Sequence, residues 1–328
     1  MKILIVGCGS IGARHLSNCA MYGKVAGLEK CPKTASFVRK KTGMPVFQDQ
    51  KQARAWCPDV VVIATPTHLH LSSASPWMGK AGKVLIEKPL AHSTVGLKKF
   101  LGLVSKNKTE VYVGCNMRFH PGPAFLSENL KKIGKPLFVR AWFGHYLPLM
   151  RKNTNLRSLY AAKRSRGGGV VMDCIHELDY LEALFGKASK LSGVVGKLGN
   201  LPLEAEDYAA LLLKLTSAGG TTRAAIHLDF LQKVKKRGCE IVGTDGEILW
   251  QSIGKNPEAL LLRRTLYHQK RKTLVIRKKL RDLNAPFHKM LTLLFCGSKK
   301  DRKTKLLLPR QAAGQVILLK KFLQKTAG

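Results

Sequence analysis

The sequence predicts a doubly wound parallel α/β sheet followed by an α+β domain built on a large, mainly antiparallel open sheet. Three observations carry that reading. Short Val- and Ile-rich runs alternate with helical segments through the first 119 residues. A G-x-G-x-x-G turn closes the first of those runs. From residue 120 onward, alternating or apolar stretches are separated by tight-turn signals.

The runs at residues 3–6, 25–28, 60–64, 84–86 and 111–113 read as short buried strands. Segments such as 14–22 and 94–105 read as the helices between them. Units of this kind connect right-handedly, so a doubly wound sheet is the natural outcome. In the second part, residues 137–146 read as a long strand. Gly167-Gly168-Gly169 precedes a helical pattern over 172–185. Strands are expected at 191–195, 208–215, 221–228, 239–242 and 247–250. Ala218-Gly219-Gly220 and Thr244-Asp245-Gly246 mark turns between them. Residues 311–323 read as a closing helix. A length of 328 residues fits two domains on a prior of about 150 each, here 1–119 and 120–328.

Hydrophobic residues make up 45% of the chain, enough for a sizeable core. No apolar run approaches the roughly 18 residues that a membrane helix needs. The opening apolar burst stops at Gly7 and reads as a strand rather than an export signal. None of the eight cysteines forms a C-x-x-C pair, and no His/Cys/Asp cluster has metal-ligand spacing. The expectation is a reduced, cytoplasmic protein without a metal.

The charge is unusual. Fifty-seven Lys and Arg against 20 Asp and Glu give +37. The excess runs through both parts and is densest at Arg263-Arg264, Lys270-Arg271-Lys272, residues 277–281 and residues 299–305. Such a field attracts nucleic acid, anionic membrane or acidic substrates. Without aromatic interleaving or a nucleic-acid motif, a solvated basic face is the preferred reading and nucleic acid is disfavoured.

Gly7-Cys8-Gly9-Ser10-Ile11-Gly12 follows a strand and opens a helix, the context in which this spacing cradles a dinucleotide. Gly7 permits the tight turn, Gly9 lets the backbone approach a pyrophosphate, and Gly12 lets helix and strand pack closely. Free N–H groups around Ser10 and Ile11 face the phosphates. Glu29, at the end of the second strand, accepts from ribose hydroxyls and repels a 2′-phosphate, so NAD is expected in preference to NADP. This is a Rossmann arrangement.

Further motifs resemble one family. The stretches are G-C-G-S-I-G-A-R-H (7–15), A-T-P-T-H-L-H (64–70) and A-G-K-V-L-I-E-K-P-L (81–90). To these add G-C-N-M-R-F-H-P (114–121), G-G-G-V-V-M-D-C-I-H-E-L-D-Y (167–180), H-L-D-F-L-Q (227–232) and R-G-C-E-I-V-G-T-D-G (237–246). Together they resemble the glucose-fructose oxidoreductase and inositol dehydrogenase (Gfo/Idh/MocA) family. The resemblance implies an NAD(P)-dependent enzyme acting on the CH–OH group of a sugar or nucleotide sugar. It further implies a homo-oligomer paired through the second-domain sheet.

Hydride transfer from a carbinol needs a base for the hydroxyl proton and a cation to steady the oxygen. The resemblance implies that Lys88 supplies the cation and that the Lys88–Pro89 bond is cis. Asp173 and His176 stand i, i+3 at an expected helix start and so share a face. His176 is the candidate base. Asp173 orients it or binds a sugar hydroxyl. The family's usual spacing is D-x-x-x-H; here it is one residue shorter. Glu177 and Asp179 read as structural, Asp179 facing a basic residue. By resemblance, Thr65, Pro66, His70, Glu87, Asn116 and Arg118 line the cofactor, His70 in a structural capacity. Arg118, Tyr160 and Lys163 border the substrate, beside His120. The competing reading is a dinucleotide-binding sensor without turnover, since this fold hosts those too.

Overall fold

The computed structural model describes residues 1–151, 155–158, 162–253, 259–268, 272–280 and 282–326. The chain divides into two compact units. The first comprises Met1–Cys115 and Phe287–Val316, the second Asn116–Pro286 and Ile317–Gly328. The expected cut after residue 119 lies close to the first crossover. It misses the return of 287–316 to the first unit. That return is secured by long-range contacts: Arg302 donates to both oxygens of Glu110, and the Leu307 carbonyl accepts from Val113.

The first unit holds strands β1 (Lys2–Val6), β2 (Lys24–Leu28), β3 (Val46–Phe47), β4 (Val60–Ile63), β5 (Lys83–Glu87) and β6 (Glu110–Gly114). All pair in parallel, in the order β3-β2-β1-β4-β5-β6. Helices α1 (Ser10–Cys19), α2 (Pro32–Thr42), α3 (Gln50–Ala55), α4 (His70–Ala74) and α5 (Leu97–Lys106) connect them. β4 is buried at every position, as a strand covered on both faces requires. The strand order reverses between β1 and β4, and ligands bind outside the carboxyl ends of strands at such a switch point. The turn after β1 is the glycine turn.

The second unit holds β7 (Pro136–Gly144), β8 (Lys187–Gly196), β9 (Tyr208–Ser217), β10 (Gly220–Asp229), β11 (Lys236–Gly243), β12 (Gly246–Ser252), β13 (Ala259–Leu266) and β14 (Thr273–Lys279). Their order is β14-β13-β12-β11-β7-β10-β9-β8, antiparallel except for β7 against β10. The last two strands carry basic clusters, which hid their apolar pattern from the sequence reading. Helices α6 (Pro121–Asn129), α7 (Leu147–Met150), α8 (Val170–Asp173) and α9 (His176–Phe185) belong to this unit. Along β9, Ala209, Leu211, Leu213 and Leu215 are buried, whereas Leu212 is 58% exposed. This two-residue period is that of a sheet with one covered face. α8 and α9 pack on that face. The other stays open, a shallow apolar groove between Trp142, Val194, Leu212 and Ile226.

The chain closes with α10 (Ala285–Cys296), α11 (Lys299–Lys305) and α12 (Pro309–Lys325). Among the described residues, no helix is long and apolar enough to cross a membrane.

Candidate active site

The glycine turn separates glycines needed by the protein from one that the protein does not need. Gly7 has φ +86°, and a Cβ there would lie 2.8 Å from the Thr65 nitrogen. A Cβ on Gly12 would collide with the Gly7 carbonyl. A Cβ on Gly9 would meet nothing within 4 Å. Gly9 is the N-cap of α1, with no side-chain cap, so the first N–H groups of that helix lack a side-chain acceptor. Gly9 and Ser10 are exposed and Ile11 half-buried. Open space above a bare helix N-terminus is the cradle that a pyrophosphate fills, so these residues fit a dinucleotide. Cys8 between them is inert packing: burial, and then the Glu29 charge, push its thiol up to about 12.

Glu29 follows β2 directly rather than ending it. Its Oε2 accepts from the Cys8 N–H and its Oε1 from the Cys31 N–H, both at 2.9 Å. The carboxylate is thereby fixed between the first two strand-end turns. Each oxygen keeps a lone pair for a ribose hydroxyl.

The E-K-P segment is braced from two sides. Glu87 Oε1 lies 2.6 Å from His15 Nε2, with His15 fully buried in α1. Lys88 is half-buried, and the Lys88–Pro89 bond is cis, as the motif implies. His70 is 1% exposed; its Nδ1 lies 2.8 Å from the Pro89 carbonyl and its Nε2 2.9 Å from the Thr65 carbonyl. Burial holds its pKa below the usual imidazole value. A neutral ring donates to one of these carbonyls at a time. His70 thus braces the loop, the structural capacity expected of it, and Glu87 holds α1 through His15. Both are buried with a ring nitrogen or oxygen engaged. Thr65 closes the loop with its hydroxyl on Ser73, 3.3 Å away, and Pro66 caps the short 3-10 turn Thr67–Leu69.

In the second unit the expected single helix is broken. α8 ends at Asp173, Cys174 (ψ +28°) and Ile175 turn the chain, and α9 starts at His176. The i, i+3 argument for Asp173 and His176 fails for that reason. Asp173 Oδ2 instead lies 3.9 Å from Arg151. From Gly167 to Leu181 every residue is buried except His176, which is half-exposed. The two acids that follow it are neutralised internally. Arg237 donates to Glu177 at 2.7 Å, and Arg118 grips Asp179. Arg118 thus has Nε and Nη2 committed to Asp179.

Asn116 begins a 3-10 turn and is half-buried. His120 caps α6, accepting from the Gly122 N–H at 3.1 Å. The Lys163 carbonyl accepts from Gly168 at 3.0 Å, closing the turn before the glycines. Tyr160 lies outside the described residues. Sequence reasoning missed Glu206. Its backbone carbonyl accepts from Val170 at 3.0 Å, and its carboxylate, 3.3 Å from the Val171 nitrogen, fills the space that a Cβ on Gly169 would take. Burial raises its pKa. The triple glycine was the available signal, since a Gly at φ +100° announces a close neighbour. Among the described residues, no group of three or more His, Cys, Asp or Glu is placed to hold a metal ion.

Known proteins match both units. Residues 1–115 match the family model described as oxidoreductase family, NAD-binding Rossmann fold. Residues 130–249 match the GFO/IDH/MocA C-terminal domain. The scyllo-inositol 2-dehydrogenase (NADP(+)) IolU of Bacillus subtilis is 27% identical over 247 residues, 70% of this chain and 68% of its own. The fold matches an Agrobacterium radiobacter oxidoreductase solved with NAD+, L-tartaric acid and magnesium (TM-score 0.80, 17% identity, 100% of this chain and 96% of that one). It also matches the WlbA dehydrogenase of Bordetella pertussis solved with NADH and UDP-GlcNAcA (TM-score 0.77, 18% identity, 99% and 96%).

Proposed function

Because the chain belongs to the GFO/IDH/MocA oxidoreductase family, with its NAD-binding Rossmann fold, we propose that it is a dehydrogenase of a sugar or nucleotide-sugar CH–OH group that uses NAD in preference to NADP. The observation that carries the reading is His176. It is the sole residue accessible to solvent in an otherwise buried fifteen-residue segment, 167–181, and both acids following it are neutralised by arginines. An imidazole is the side chain type suited to act as general base for a carbinol proton.

In this reading the nicotinamide cofactor, when bound, supplies the acceptor for the hydrogen leaving the carbinol carbon with its electron pair. The ring of His176 takes the hydroxyl proton. The Lys88 ammonium donates to the carbinol oxygen and stabilises the charge that develops there. Asp173, held near Arg151, binds a substrate hydroxyl rather than orienting His176. Lys163 and Arg118 contact substrate oxygens. The inositol and UDP-sugar names of similar proteins support a polyol or sugar substrate. The +37 charge supports a diphosphate-bearing one, which it would steer inward. The open apolar face around Leu212 and Val194 is assigned to pairing of subunits.

Turnover of a panel of free polyols and nucleotide sugars tests the assignment, with Lys88→Ala and His176→Asn beside the wild type. Each variant should lose about 10²–10⁴-fold in kcat while still binding NADH. Undiminished turnover in both would overturn the roles. NADH binding without turnover of any substrate would favour a sensor.

A further inference from the structure

The basic excess meets exposed apolar side chains at one edge of the second sheet. β14 is the terminal strand, and all seven of its residues are exposed. Leu274, Val275 and Ile276 are 39%, 53% and 39% exposed, and Arg277, Lys278 and Lys279 follow them directly. The strand is anchored from within by β13, which sets Leu262 against Ile276 and Leu260 against Lys278. Both of those leucines are buried. On β13, Arg263 is held by Glu247 at 3.0 Å and Arg264 by Asn129 at 2.6 Å. Arg277, Lys278 and Lys279 have no ion-pair partner among the described residues. Residues 259–281 contain nine Lys and Arg and no Asp or Glu.

Edge strands often carry lysines that block pairing with a second sheet. That accounts for the cations. It does not account for three consecutive apolar residues, which invite the pairing that the cations prevent. A nucleic acid would satisfy the cations and leave Leu274, Val275 and Ile276 in water. Tyr267 and His268, just past β13, are the aromatic rings at this edge that could stack on a base, and β13 and β14 themselves carry none. An anionic bilayer surface takes both kinds of group. Its headgroups pair with the cations, and the acyl boundary accepts the aliphatic side chains.

We infer that the β14 edge docks this protein on the surface of an anionic phospholipid membrane, peripherally and without crossing it. The overall +37 charge steers the approach, and the apolar triplet holds the contact once the headgroups are reached. Docking therefore has a salt-sensitive part and a part that survives salt, since exposed charges are screened beyond ~10 Å at 0.1 M.

Sedimentation of the full chain with phosphatidylcholine vesicles, with and without about one-third phosphatidylglycerol, is the test. The wild type should partition at least about tenfold more strongly to the anionic vesicles. Joint replacement Arg277→Glu, Lys278→Glu and Lys279→Glu should weaken that partitioning about tenfold or more. Val275→Ser with Ile276→Ser should remove the part that persists at high salt. Both variants should bind NADH and unfold thermally as the wild type does. Should the charge-reversed protein not fold, Val275→Trp in the wild-type background reports directly. Its emission should be quenched by brominated anionic lipid, and unquenched emission overturns the proposal. So does wild-type protein that stays in the supernatant, or folded variants that sediment undiminished. Displacement from the vesicles by a DNA duplex that binds more tightly would also overturn it, in favour of nucleic acid.

Discussion

The guanidinium of Arg118 holds the carboxylate of Asp179 edge-on, Nε donating to Oδ2 at 2.9 Å and Nη2 to Oδ1 at 2.8 Å. Their side chains are 10% and 0% exposed. The pair ties the 3-10 turn Asn116–Phe119 to α9. Arg237 and Glu177 make a second tie two residues earlier on the same helix. The start of α9 is thus fixed at two points, and His176 stands directly before Glu177 of the second.

Breaking the first tie should be costly. Asp179→Ala leaves a largely buried guanidinium without its counter-charge, and such a loss costs roughly 3–5 kcal/mol. Asp179→Leu combined with Arg118→Met removes both charges and should cost clearly less. Urea unfolding of the three proteins measures the difference. Equal losses would mean that the pair contributes no more than its packing.

The glycine turn predicts a separation of stability from ligand binding. Gly9 has φ −64°, which alanine adopts freely, and its Cβ would enter open space. Gly9→Ala should unfold within about 1 kcal/mol of the wild type. Its NADH affinity should fall at least about tenfold, as the new methyl takes the place of the pyrophosphate. Gly12→Ala should instead lose about 1–3 kcal/mol of stability, because its Cβ strikes the Gly7 carbonyl. Fluorescence titration and thermal melts distinguish the two. Unchanged NADH affinity in Gly9→Ala would place the cofactor elsewhere.

These contrasts mark what local pattern carries and what it does not. The strand at 60–63 and the glycines at 7, 9 and 12 are legible because period, turn chemistry and backbone approach are local properties. The same holds for the 208–217 and 220–229 hairpin, with Gly219-Gly220 at its turn. β14 was hidden because an exposed edge strand replaces apolar residues with lysine and arginine, and β13 beside it because Arg263 and Arg264 interrupt its apolar run. The break between Asp173 and His176 was hidden because both flanking segments are helical and only ψ at Cys174 distinguishes them. The roles of His15, His70 and Arg118 depend on partners 72, 19 and 61 residues away. Spacing within a motif carries no information about such pairings. The Lys88–Pro89 cis bond was legible through motif resemblance rather than periodicity, and Asp179 was expected to face a basic residue, whereas the partner of Glu177 was not foreseen.

Glu29 should set cofactor choice. Its carboxylate is oriented by the Cys8 and Cys31 N–H groups, so a 2′-phosphate would face a fixed negative charge. Glu29→Gln keeps the size, removes the charge and should lower the preference for NADH over NADPH by about tenfold. Exposed Lys30 and Lys33 lie close by in sequence and should aid NADPH in the variant. Paired titrations with NADH and NADPH measure the ratio. A wild type that already prefers NADPH would mean that the lysines outweigh the carboxylate.

Lys235 should give a distinctive pH dependence of stability. Burial, and then the neighbouring Arg237 charge, pull its ammonium down to about 8, while Glu177 opposes the shift. In the unfolded chain a lysine titrates near about 10.4. Between those values the unfolded state binds more protons, so this residue makes stability rise with pH from about 8 to about 10.4. Below that window the cost of burying the ammonium is fully present. Lys235→Met should therefore be more stable than the wild type at pH 7, by on the order of 1 kcal/mol. The advantage should shrink as pH rises toward 10. Thiols and phenols raised by burial, among them Cys19 and Tyr112 at about 12, act in the opposite sense over the same range. They are common to both proteins and cancel in the difference. His145, lowered by burial and then by Lys235, titrates below the window. Denaturant unfolding at pH 7 and pH 9.5 measures the effect. A constant gap between the two proteins would mean that the ammonium keeps its hydration in the folded state.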